Sequence, residues 1–134
     1  MSTLVEFLFP APAERTPAAI LRWWERRRLP YNLMVGGAGI VSLGLANLLF
    51  ALPPEPISPM LDWRPIVVFG VLANLCYGLG SVVEIVLQSV WRGRLLPVGP
   101  TLYRMGLTFS VGLALFPTLI AGLTLGFRIL RWLL

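Results

Sequence analysis

"NLCYGLGSVVEIVLQ", residues 74–88, is the stretch on which the reading of this chain turns. It lies in an apolar run from Ile66 to Val90, longer than the roughly 20 residues that a helix needs to cross a bilayer. Yet it carries five polar side chains. Wound as a helix at about 100° per residue with Asn74 at zero, Tyr77 falls near −60°, Ser81 near −20°, Glu84 near −80° and Gln88 near −40°. The five form one stripe less than a quarter-turn wide, with Gly70 and Gly78 close beside it. The opposite face, including Val68, Leu72, Val86 and Val90, is wholly apolar. Hydrocarbon satisfies no hydrogen bond, so the stripe must turn toward protein or water.

The rest of the sequence supports a membrane setting for that helix. Of its 134 residues 57% are hydrophobic and only 13% charged, and the mean hydropathy is +0.79. So few charges do not cover a soluble domain of this size. The net charge is +5, and every basic residue is an arginine. In a soluble protein that balance would suggest nucleic acid. Here the arginines flank apolar segments, so the expected partners are anionic lipid headgroups and other transmembrane helices, not nucleic acid.

Two further apolar runs flank the first, giving transmembrane helices over about 33–52, 66–90 and 105–127. "PPEPISP" at 53–59 separates the first pair as an extended loop, and Pro97, Gly99 and Pro100 separate the second pair. Residues 1–30 precede the membrane domain of 31–134. Their start lacks the early basic region and the long apolar core of a signal peptide. Thr16 as N-cap and Pro17 at the first helical position predict a short helix over 17–28, ended by Pro30. It sets Trp23 and Trp24 against Arg22, Arg26, Arg27 and Arg28. Such a helix either lies flat among lipid headgroups or docks on the membrane domain's own cytoplasmic face. The expected fold is therefore all-α: an integral membrane protein with three transmembrane helices preceded by a short amphipathic interfacial helix.

Arginine counts near the helix ends set the expected orientation. Arg15, Arg22, Arg26, Arg27, Arg28, Arg92, Arg94 and Arg104 fall on one side, against Arg64, Arg128 and Arg131 with Glu55 and Asp62 on the other. This predicts an inner-membrane protein with a cytoplasmic N-terminus and an external C-terminus. A third segment turning back at Pro117 would bring both termini to the cytoplasm.

Chemistry has little to build on. There is no histidine and one cysteine, Cys76, expected only to pack. Ser42, Ser81 and Ser110 have no histidine or lysine to activate them. No cofactor, metal site or catalytic residue is expected. The stripe of Asn74, Tyr77, Ser81, Glu84 and Gln88, continued by Arg92, reads in two ways. Its members either join helices by hydrogen bonds or line a proton or cation path at Glu84. Asn47 in the first helix is expected level with Asn74 and bonded to it. Tyr31 and Asn32 are expected level with Gln88 and Arg92. In the third run Gly106, Ser110, Ala114, Thr118, Gly122 and Gly126 recur every four residues, a spacing that lets helix backbones approach closely. Ala38, Ser42 and Ala46 give the first helix a small face, and "GGAG" at 36–39 is explained by packing.

"RRRLPYN" at 26–32 with "ANLCYGLGSVVE" at 73–84 resembles a group of small bacterial multi-pass inner-membrane proteins. Their pattern runs Tyr-Asn before helix one, then Ala-Asn-x-Cys-Tyr-x-x-Gly and a glutamate in the next long helix. The resemblance covers about half the chain and brings no activity with it. It implies only a bacterial inner membrane and a shared role for Tyr31, Asn32, Asn74, Tyr77 and Glu84. The expected function is non-enzymatic: an accessory or assembly subunit, or a homo-oligomer, with an oligomeric proton or cation path through Glu84 as the alternative.

Overall fold

The computed structural model describes residues 16–59, 62–91 and 98–134, whose regular structure is entirely helical. Helix α1 spans Pro17–Ala51, α2 Arg64–Val90, α3 Gly99–Ala114 and α4 Phe116–Leu133. Three stretches are long and apolar enough to cross a membrane: α1, α2 and the α3–α4 pair taken together. The expectations for Arg15, Arg92 and Arg94, and for the chain before Thr16, fall outside the described residues.

Helix α1 starts at the expected cap: the Ala19 amide donates to Thr16 Oγ1 at 3.3 Å. It does not stop at Pro30, which corrects the expectation of a separate short helix. One continuous helix of 35 residues runs through the proline. A proline inside a helix removes one backbone bond and crowds the preceding turn, at about 3 kcal/mol in isolation. Here the segments on both sides of Pro30 are tied to other helices. Trp24 and Tyr31 are buried, and Asn32 is bonded to α2. Tertiary contact therefore overrides the local break.

The side-chain bonds set the register. Trp24 meets Glu84 and Asn32 meets Asn74, so α1 and α2 are antiparallel. Tyr31 meets Ser110, Ser42 meets Thr118, and Phe50 meets Arg128, so α3 and α4 run parallel to α1. The third segment therefore continues past Pro117 and does not turn back. Bonds from Leu115 to Val111 and from Leu119 to Leu115 carry it across the kink.

This register corrects two expectations. Asn74 pairs with Asn32, not Asn47, and Asn47 Nδ2 donates instead to Leu43 O in its own helix. Tyr31 and Asn32 lie level with Asn74 and Tyr77, about 20 Å of helix rise away from the level of Gln88. The cause is the unbroken α1, whose Trp segment occupies the place beside the second half of α2.

The small-residue row of the third segment splits. Ser110 and Ala114 are buried and Thr118 faces Ser42, whereas Gly106, Gly122 and Gly126 point outward. A strict period of four drifts around a 3.6-residue helix, so one row cannot keep one face. Ser42 and Ala46 of α1 are likewise buried. Gly36, Gly37 and Gly39 have open space where a Cβ would stand, so packing within one chain does not explain "GGAG". Cys76 is exposed, on the face of α2 away from the stripe.

Candidate functional site

The polar stripe of α2 turns inward onto a cluster of aromatic rings. Tyr77, Ser81, Glu84 and Gln88 are buried, and Asn74 is half-buried. Trp23 and Trp24 are also buried, at 6% and 2% exposure. The Trp–Arg segment packs on the protein's own helices, with the indoles of Trp23 and Trp24 turned inward. Arg22 and Arg26 remain exposed on the other side. Arg27 stacks over the Trp23 ring at 4.0 Å and donates to Trp23 O. Arg28 lies 5.4 Å from the centre of the Tyr77 ring and pairs with Glu25 at 2.7 Å.

Five rings pack edge-to-face or tilted: Trp23, Trp24, Tyr31, Tyr77 and Tyr103. Their centroid separations run from 4.6 Å for Tyr31–Tyr77 to 6.5 Å for Tyr31–Tyr103. Such pairs add about 0.5–1.5 kcal/mol each beyond their buried area. Their polar ends are used as well. The Tyr77 hydroxyl donates to Trp24 O at 2.5 Å. The Tyr31 hydroxyl donates to Ala73 O at 3.3 Å and shares a 2.7 Å bond with Ser110 Oγ.

Glu84 stands at the centre of this arrangement, 1% exposed. Trp24 Nε1–H donates to Oε2 at 2.6 Å, and the Gly99 amide donates to Oε1 at 3.2 Å. Gly99 is the first residue of α3 and Pro100 has no amide proton, so the Gly99 N–H is an orphan donor at a positive helix end. A carboxylate is the side chain best suited to that end. A Cβ at 99 would overlap the Glu84 carboxylate, so any larger residue there would have to displace it from its present place. Ser81 donates to Gly78 O within α2. Asn74 and Asn32 exchange two bonds, at 3.2 and 2.9 Å, and Asn74 Nδ2 also donates to Gly70 O.

Two more helix ends are closed in the same way by residues not singled out above for that role. The Thr118 amide, freed where Pro117 breaks the backbone ladder, donates to Ser42 Oγ at 3.3 Å. Thr118 Oγ1 in turn donates to Ser42 O at 3.0 Å. Arg128, 8% exposed, donates to the carbonyls of Phe50, Leu52 and Pro54, which are the end of α1 and the loop after it. Arg131 pairs with Glu55 of that loop. Nothing in the sequence marked Arg128 for this role, because the level at which α4 meets the end of α1 has no local signature.

Gly80 shows how tightly the Trp24–Glu84 contact is built. A Cβ at Gly80 would lie 2.7 Å from Trp24 Cη2. Gly80→Ala is therefore expected to push the indole off Glu84 and cost about 1–3 kcal/mol, an overpacking penalty. The measurement is the unfolding midpoint in detergent. Gly78→Ala, whose Cβ meets nothing within 4 Å, is expected to stay within about 0.5 kcal/mol of the parent.

Among the described residues no three His, Cys, Asp or Glu side chains come together to hold a metal ion. Searches of protein-family models, of curated proteins and of solved structures find no match to this chain.

Proposed function

We propose that this chain is a non-enzymatic multi-pass inner-membrane protein that acts as an assembly or accessory subunit, with its N-terminus in the cytoplasm. The observation that carries the reading is a division of labour between faces. The polar stripe is taken up inside one protomer. Gly122 and Gly126 stand one turn apart on the outer face of α4 with nothing within 4 Å of their Cβ positions. A Gly-xxx-Gly pair facing hydrocarbon is the feature by which membrane helices approach backbone to backbone. Exposed Arg22 and Arg26 at the N-terminal end support the orientation. An ion path through Glu84 is less well supported, because both carboxylate oxygens already accept bonds in a closed aromatic cluster.

The test is the double substitution Gly122→Leu with Gly126→Leu. It is expected to abolish detergent-stable oligomers or co-purifying helices while helicity and thermal midpoint stay unchanged. Assembly that survives both leucines would overturn the proposal. Ser110→Leu and Ala114→Leu are not equivalent tests, since those sites are buried within the protomer and would unfold it instead.

A further inference from the structure

We draw no further inference here: the strongest candidate, the apolar crevice lined by α1, α2 and the kink between α3 and α4, is a half-open groove with the Asn32–Asn74 pair at one end and Pro65 at the other, and nothing in the structure shows what covers it.

Discussion

Replacing Glu84 by alanine is expected to lower the stability of the folded protomer by about 2–4 kcal/mol. The substitution leaves the Trp24 indole N–H and the Gly99 amide buried without an acceptor, and each orphaned donor costs about 1–3 kcal/mol. It also withdraws the acceptor that closes the N-terminal end of α3. Glu84→Gln keeps one acceptor oxygen and turns an amide group toward a second donor, so about half of that loss is expected. Unfolding midpoints in a mixed-micelle titration measure both. The same pair of variants separates assembly from ion conduction. If Glu84→Gln abolished proton or cation flux in proteoliposomes at unchanged stability, the structural role assigned to this carboxylate would be wrong.

Arg128→Met should be the second large effect. The aliphatic stem is kept, but the carbonyls of Leu52 and Pro54 lose the donor that satisfies them, and Phe50 O keeps only the Ile57 amide. These carbonyls are only partly buried and can exchange in part to water, so the expected loss is about 1–3 kcal/mol, within the cost of leaving an acceptor unpaired. A local signature accompanies it. Backbone amide exchange should accelerate in 50–59, where the Ile57 amide now donates to Phe50 O at 2.9 Å. Exchange around Trp24 and Glu84, at the other end of the bundle, should stay as it was. Arg131→Ala, which removes only the exposed pair with Glu55, should shift stability by less than about 1 kcal/mol. Equal effects from Arg128→Met and Arg131→Ala would show that charge, and not carbonyl capping, holds the loop.

These expectations rest on three helix ends closed by side chains from other helices: α3 by Glu84, α4 by Ser42 and α1, with its following loop, by Arg128. In water such ends are satisfied by solvent or by local caps. In the bilayer proposed above little water is at hand, so the donors and acceptors must come from across the bundle. That requirement ties the kink at Pro117 to Ser42 and the break before Gly99 to Glu84. It also explains why so apolar a sequence keeps a glutamate and an arginine in buried positions.

What the sequence determined by itself was local. Run length and composition mark three stretches able to cross a membrane. The 100° period puts Asn74, Tyr77, Ser81, Glu84 and Gln88 on one side of α2, and Thr16 with Pro17 marks where α1 begins. Each depends only on neighbours within a few turns. The tertiary structure decided how the helices slide along one another, and that offset has no local signature. The aromatic cluster of Trp23, Trp24, Tyr31, Tyr77 and Tyr103 sets it through packing summed over three helices. The offset brings Asn74 to Asn32 and not Asn47, carries α1 through Pro30, buries Trp23 and Trp24, and gives Glu84 an indole and a helix end as partners.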